Sequence, residues 1–298
     1  MPNGRGDHPL FLNLLLSLRP GQWTKNLFVF AALVFSHRLT DLDAAARATA
    51  AFLIFCTLSG AVYLINDVFD RKQDQRHPLK AMRPIASGAL DPKLATTIAI
   101  ALAVLSLIAA FALGRLFFAS ASAYLLLLFS YSAFLKHIVI LDALTVAAGF
   151  TLRAAAGAAA IFVPMSHWLL VCTTLLALFI VLSKRRHELT LLTDTATQHR
   201  PILGDYTPYL LDQMISVVTA STLIAYAFYT ISPETTAKFG TTLLSLTIPF
   251  PLYGIFRYLY LVHRRDLGGS PADLLVNDRP LLVCVALWAL SVIAIIYR

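Results

Sequence analysis

Charge is scarce along this chain. Only 13% of its 298 residues are Asp, Glu, Lys or Arg, against about 25% in ordinary soluble domains. With 58% of the residues apolar, the uninterrupted apolar runs are too many for one soluble core to hide. Cysteine is nearly absent as well. Cys56, Cys172 and Cys284 are odd in number, fall inside apolar runs and lack metal-ligand spacing, so they read as small apolar filler. The eight histidines include no HExxH and no His-x-x-x-His pair, so a zinc site is not expected. A cleavable secretion signal is missing too: the early run Leu10–Leu18 meets Arg19-Pro20 without a small-residue cleavage site. Nothing resembling an inter-domain linker or a low-complexity tract interrupts the chain.

What the sequence has in quantity is long apolar stretches, and its mean hydropathy is +0.72. A bilayer span takes roughly 20 apolar residues, and lipid forces every backbone group to bond within its own segment. The expectation is therefore an all-α integral membrane protein. Nine spans are predicted, at roughly 22–37, 45–65, 94–113, 116–135, 139–162, 167–183, 210–231, 240–261 and 280–297. Residues 1–21 read as a cytoplasmic or interfacial segment, with "FLNLLLSLRP" lying in the interface plane. Residues 22–298 read as one polytopic membrane domain.

Nine spans put the N-terminus and every second loop on one side. That side collects about 18 of the 24 Lys and Arg, from Arg5, Arg19 and Lys25 to Arg264, Arg265 and Arg279. The N-terminus is thus expected in the cytoplasm. The net charge of +8 becomes a topology signal, and nucleic-acid binding need not be invoked. Three loops on that side, roughly 66–93, 184–209 and 262–279, exceed simple turns, which places the chemistry there. Exposed apolar helix faces permit a homo-oligomer without requiring one.

The segment "YLINDVFDRKQDQRHPLKAMRP" ends an apolar run in acids and then bases. Continued as a helix, Asn66, Asp67, Asp70 and Asp74 lie at about 0°, 100°, 40° and 80° around the axis. Four oxygen-bearing side chains on one arc repel unless a cation stands among them. Mg²⁺ suits such a site, held by one or two carboxylates with substrate phosphates completing its shell. The alternative is a solvated helix end with Asp–Arg pairs. On the metal reading, Mg²⁺ sits at Asn66 and Asp70 with Asp67 and Asp74 in support. Arg76, Lys80 and Arg83 then bind the remaining charge of a diphosphate.

"NDVFDRKQD" matches the NDxxDxxxD pattern of the UbiA-type intramembrane prenyltransferase superfamily, and nine spans suit its helical bundle. Taken with "LRPGQWTKNLFVFAALVF", "YSAFLKHIVILDALTVAAGFTLRAAAGA", "LSKRRHEL" and "PFPLYGIFRYLYLVH", the chain resembles the phosphoribosyl-transferring branch of that superfamily over nearly its whole length. The resemblance implies a bundle around a central cavity open to the cytoplasm and sideways to lipid. It also implies Mg²⁺-dependent transfer of a 5-phosphoribosyl group from 5-phosphoribosyl 1-diphosphate to a polyprenyl (decaprenyl-like) phosphate. Diphosphate is released, and the product feeds arabinose donors of the cell wall.

Superfamily prenyltransferases carry a second Asp-rich motif, for which the corresponding stretch here is "LFIVLSKRRHELTLL". It offers Lys184, Arg185 and Arg186 with Glu188 as its acid, which suits an anionic acceptor better than a second Mg²⁺. An ordinary positive-inside anchor is the alternative. Arg153 lies mid-span, where a charge costs roughly 2.5–3.5 kcal/mol on insertion scales, so it needs a polar partner. Asp142 stands three turns earlier on the same helix face, and both are candidates to line the cavity. A structural pairing of Arg153 with a carboxylate or with carbonyls is as good a reading. Lys136 follows Tyr131 one residue later than the superfamily's Tyr-xxx-Lys motif would place it, and is carried over as a phosphate ligand. Lys25 and Tyr63 are further candidates for the donor, against snorkelling and an interfacial aromatic belt.

Two rival functions remain. A prenyltransferase moving a prenyl group from its diphosphate would need a carboxylate pair near residues 184–200, where Asp194 is the one aspartate. A transporter or non-catalytic lipid-binding protein would show inverted repeats or broken mid-membrane helices, and neither is visible.

Overall fold

The computed structural model describes residues 9–76, 80–191, 201–264, 274 and 277–298. Its elements are helical, with no strand among the described residues. In chain order they are α1 (Leu10–Leu18), a 3₁₀ segment (Pro20–Phe30), α2 (Ala31–Phe35), α3 (Leu42–Phe69), α4 (Arg71–Asp74) and α5 (Pro84–Ser87). There follow α6 (Pro92–Leu113), α7 (Arg115–Ala133), α8 (Leu141–Ala160), α9 (His167–Leu191) and α10 (Pro208–Ile231). The chain closes with α11 (Pro233–Phe239), α12 (Pro249–Arg264) and α13 (Arg279–Ile296).

The long helices start where the sequence supplies caps. Asp41, Asp91, Thr207 and Asp278 each accept a hydrogen bond from the first turn of α3, α6, α10 and α13. Pro92, Pro208 and Pro280 sit in the opening positions, where a missing N–H does no harm. Gly114, at φ +154°, supplies the single-residue turn between α6 and α7, a conformation that a side chain would strain.

Seven of these helices are long and apolar enough to cross a membrane, and an eighth crossing is reached if the bent pair Pro233–Phe239 and Leu243–His263 counts as one. The chain is a multi-pass membrane protein, with fewer straight spans than the nine expected. Two causes account for the difference. The expected span 22–37 is an 11-residue 3₁₀ segment followed by five α-helical residues, because polar Gln22, Thr24 and Asn26 occupy its first half. The expected span 240–261 is broken by Gly240 at φ +65° and by Pro249, leaving a 105° bend.

The fold divides into two compact units, Met1–Leu135 with Leu152–Pro164 and Lys136–Thr151 with Met165–Arg298. In the first unit Phe55 packs edge-on against Phe117 at 5.8 Å and beside Tyr124 at 5.1 Å. Small residues Ala51, Ala110, Ala121, Ala156 and Ala160 surround these rings. A second cluster, Ala61, Leu64, Ile85, Leu90, Ala95 and Ala99, ties α3 to α5 and α6. In the second unit Phe179, Leu182, Leu211, Ile215, Ile255 and Tyr258 form the core.

The 3₁₀ segment reaches the core through one glycine. A Cβ on Gly157 would overlap the carbonyl oxygen of Val29 and lie 2.8 Å from its carbonyl carbon. Gly157→Ala is therefore expected to destabilise the protein by about 2 kcal/mol or more. Thermal unfolding in detergent checks this, and an unchanged midpoint would contradict the close approach.

Candidate active site

Helix α3 runs 28 residues to Phe69. At Asp70 (φ −87°, ψ 0°) the chain bends, then resumes at once as the single turn α4. The i, i+4 pattern survives the bend: the Asp70 N–H donates to the Asn66 carbonyl at 2.9 Å, and the Asp74 N–H to the Asp70 carbonyl at 2.8 Å. The stripe expected from the sequence therefore persists past the last apolar turn.

The four side chains form two linked pairs. Asn66 Nδ2 donates to Asp70 Oδ2 at 3.1 Å, and both residues are half-buried. Asp67 and Asp74 are buried, and Arg83 joins them: its Nη1 donates to Asp67 Oδ1 at 3.2 Å and to Asp74 Oδ2 at 2.6 Å. Arg19, at the end of α1, donates through Nη2 to the same Asp67 oxygen. Its guanidinium lies over the Tyr63 ring, 4.9 Å from the centroid. The Asp–Arg pairs of the alternative reading do form, yet they are not solvated, because the carboxylates are inside. An unpaired carboxylate at that depth would carry a penalty of several kcal/mol.

Arg83 is placed by local chemistry. It precedes Pro84, which favours the extended conformation observed (φ −62°, ψ 142°). Ile85 and Leu90 are buried beneath the loop, Gln75 Nε2 donates to the Ala86 carbonyl at 3.2 Å, and Gly88 at φ +85° ends α5.

Among the described residues no group of three or more His, Cys, Asp or Glu is arranged to hold a metal alone. Mg²⁺ does not require such a cage, since one or two carboxylates plus substrate phosphates complete its shell. The half-exposed Asn66–Asp70 pair, made of hard oxygen donors and flanked by anchored arginines, fits that pattern.

Other sequence candidates fall into place as follows. Lys25 is exposed on the 3₁₀ segment, Arg76 is exposed just beyond α4, and Lys80 is half-buried before Arg83. Arg153 is buried: its Nε donates to Asn26 Oδ1 at 2.7 Å and its Nη2 to the Tyr124 hydroxyl at 2.6 Å. Ser59 joins both partners, at 3.3 and 3.1 Å. The polar partner demanded by the mid-span charge is thus an Asn–Tyr–Ser cluster, in which Arg153 meets a side-chain amide carbonyl and a phenol hydroxyl.

In the second unit the structure corrects the loop expected from residue 184 onward. Helix α9 continues to Leu191, because Arg185 and Lys184 pair with Glu188 at i, i+3 and i, i+4, at 2.9 and 3.9 Å. Arg185 is buried against Asp142, Nε to Oδ2 at 3.0 Å. The Tyr206 hydroxyl donates to Asp142 Oδ1 at 2.8 Å and accepts the Ile140 N–H at 2.8 Å. Burial pushes the Tyr206 phenol up to about 12, which keeps that proton in place. The contact also pins Ile140, a β-branched residue at φ +70°, just after the 3₁₀ turn that carries half-buried Lys136. Arg186 pairs with Asp212 at 2.5 Å, and His263 Nε2 meets the same carboxylate at 3.2 Å. Asp142 and Arg153 thus belong to separate networks. Asp194 lies outside the described residues.

Sequence reasoning passed over Arg19, Asn26, Tyr124 and Tyr206. Arg19 stands in the quoted "LRPGQWTKN" block, but no periodicity links it to an aspartate 48 positions later.

Comparison with known proteins bears on this arrangement. A profile of the UbiA prenyltransferase family matches residues 26–277. The chain is 31% identical to the decaprenyl-phosphate phosphoribosyltransferase of Mycolicibacterium smegmatis, over 97% of its own length and 93% of that protein. It is 32% identical to the decaprenyl-phosphate phosphoribosyltransferase of Mycobacterium tuberculosis (strain H37Rv), over 95% and 94%. Among solved structures, a UbiA homolog from Archaeoglobus fulgidus bound to DMAPP and Mg²⁺ aligns with a TM-score of 0.73 at 21% identity, covering 96% of this chain and 99% of that one.

The buried pair sets a stability expectation. Arg185→Ala leaves Asp142 buried with a lost partner and should cost about 3–5 kcal/mol. Lys184→Ala, whose side chain is 42% exposed, should cost under about 1 kcal/mol. Detergent-solubilised thermal unfolding compares the two, and equal midpoints would show that Arg185 is not the structural member of the trio.

Proposed function

Because the chain belongs to the UbiA prenyltransferase family, a family of membrane-embedded transferases, we propose that it transfers a 5-phosphoribosyl group from 5-phosphoribosyl 1-diphosphate to a polyprenyl phosphate. The observation that carries this reading is the end of α9. A second Mg²⁺-bound diphosphate would call for a carboxylate pair there. The chain instead has Lys184, Arg185 and Arg186 there, with Arg185 and Arg186 held by Asp142, Glu188 and Asp212 and Lys184 the most exposed of the three. Cations suit a phosphomonoester acceptor, and the relatives named above share the pattern's implied chemistry in their names.

In this reading Asn66 and Asp70 hold Mg²⁺, with Asp67 and Asp74 in support. Bound there, the ion supplies Lewis-acid polarisation of the diphosphate and charge neutralisation. Arg83, Lys80 and Arg76 take the remaining phosphate oxygens, with Lys25 and Tyr63 assisting. The bond between the ribose anomeric carbon and the diphosphate oxygen breaks as the carbon becomes oxocarbenium-like. Arginine donors stabilise the charge that grows on the departing diphosphate. An oxygen of the lipid phosphate forms the new bond to the same carbon. That oxygen is already ionised near neutral pH, so no general base is needed.

The main obstacle is bringing two anions together, and orientation by fixed cations lowers it. Lys184 and Lys136 position the acceptor phosphate. Arg185 and Asp142 tie α9 to the start of α8 and hold the Lys136 turn in place, and Arg186 is oriented by Asp212. Arg153 braces the first unit through Asn26 and Tyr124. The site faces the cytoplasm of a bacterium, and the product feeds arabinose donors of the cell wall.

The test is an assay of purified protein with labelled 5-phosphoribosyl 1-diphosphate and decaprenyl phosphate. Lipid-linked phosphoribose should form with Mg²⁺, disappear with a chelator, and fall at least about 100-fold in Asp70→Ala. Turnover of a prenyl diphosphate in its place would select the prenyltransferase alternative. Retained activity in Asp70→Ala would remove Asp70 from the site.

A further inference from the structure

The two arginines on Asp67 are not spent on it. Asp67 and Asp74 have side chains only 3% and 4% exposed, whereas those of Arg19 and Arg83 are 26% and 28% exposed. The acids are inside and the guanidiniums reach outward from them. Arg83 uses Nη1 for both of its carboxylates, and Arg19 uses Nη2. Nε and Nη2 of Arg83, and Nε and Nη1 of Arg19, meet no hydrogen-bond acceptor among the described residues. On Arg83 this leaves Nε and Nη2, the side-on fork that matches a phosphate bidentately.

Their settings differ from that of the metal pair. Asn66 and Asp70 are half-buried and bonded to each other. A cation can reach them and still bind a substrate phosphate. Asp67, by contrast, is enclosed by two guanidiniums, and a metal entering there would have to expel both.

From this we infer that Asp67 is a positioning residue that aims a two-arginine clasp, Arg19 with Arg83, at the diphosphate of the donor, and that Arg19 is a binding residue for that diphosphate. The inference rests on the diphosphate-donor reading above and divides the stripe by role. Asn66 and Asp70 serve the metal, and Asp67 and Asp74 serve the arginines. Tyr63 then has a role as well: its ring lies against the Arg19 guanidinium, which fixes the plane of that group.

Two titrations on the full-length protein in lipid nanodiscs test this. One follows Mn²⁺ binding alone by electron paramagnetic resonance. The other follows inorganic diphosphate binding at saturating Mg²⁺ by calorimetry. Arg19→Gln should weaken diphosphate by about 10-fold or more, the scale of one charge-assisted contact, and leave Mn²⁺ affinity within about 3-fold. Asp67→Asn should behave like Arg19→Gln, whereas Asp70→Asn should lose Mn²⁺. A purely structural Arg19–Asp67 pair would lower thermal stability and leave diphosphate affinity where it was, which would overturn the inference. So would loss of Mn²⁺ in Asp67→Asn as complete as in Asp70→Asn. Should Arg19→Gln fail to fold, Arg19→Lys keeps the charge without the fork and should still weaken diphosphate; wild-type affinity in that variant would overturn the inference equally. A wild-type protein that binds Mn²⁺ but no diphosphate would remove the donor reading itself.

Discussion

A carboxylate at the end of a membrane-spanning helix cannot be left bare once protein surrounds it, and Asp67 is in that position. The penalty for an isolated buried charge is met here by two guanidiniums, one arriving from the end of α1 and one from the turn before α5. That single requirement draws three separated pieces of chain onto one point. Arg19 ends α1 in a left-handed conformation (φ +53°), and Arg83 sits in the extended slot that Pro84 favours. The same requirement accounts for the crowding of opposite charges there: Asp67 and Asp74, both buried, share the Arg83 guanidinium.

The second unit repeats the device with different residues. Asp142 is fully buried, and Arg185 and Tyr206 close around it. The consequence is local order beside the groups proposed to meet the acceptor. The chain end of α9 stays helical, and the strained turn at Ile140 is held. In both units a buried acid aims or braces a base. On the proposed function, the family fold serves an anionic acceptor where Lys184, Arg185 and Arg186 stand at the end of α9.

Much of this was legible in the sequence, and the reason differs by residue. Asn66, Asp67, Asp70 and Asp74 share an arc by helical periodicity alone, so their grouping needed no tertiary information. The membrane class followed from the length of the apolar runs, since span length is set by bilayer thickness. The pairing of Arg19 with Asp67 was not legible, because nothing local encodes a contact across 48 positions. Asn26 escaped notice for the same reason: a single buried amide gives no pattern, though the demand of Arg153 for a partner was clear. The expected spans 22–37 and 240–261 miss the 3₁₀ segment and the bend near Gly240, because hydropathy averages over the residues that break a helix. Residues 184–191 were read as loop on charge alone, where i, i+3 and i, i+4 pairing keeps them helical.

The central claim is that the donor's diphosphate is carried by a divalent cation held at Asn66 and Asp70. Its most direct measure is the affinity of 5-phosphoribosyl 1-diphosphate for the purified protein as a function of free Mg²⁺. The account predicts that donor binding strengthens by about 10-fold or more between chelator and saturating Mg²⁺, and that the donor tightens Mg²⁺ by the same factor, as linkage requires. Donor affinity that is the same in chelator as in Mg²⁺ would contradict it.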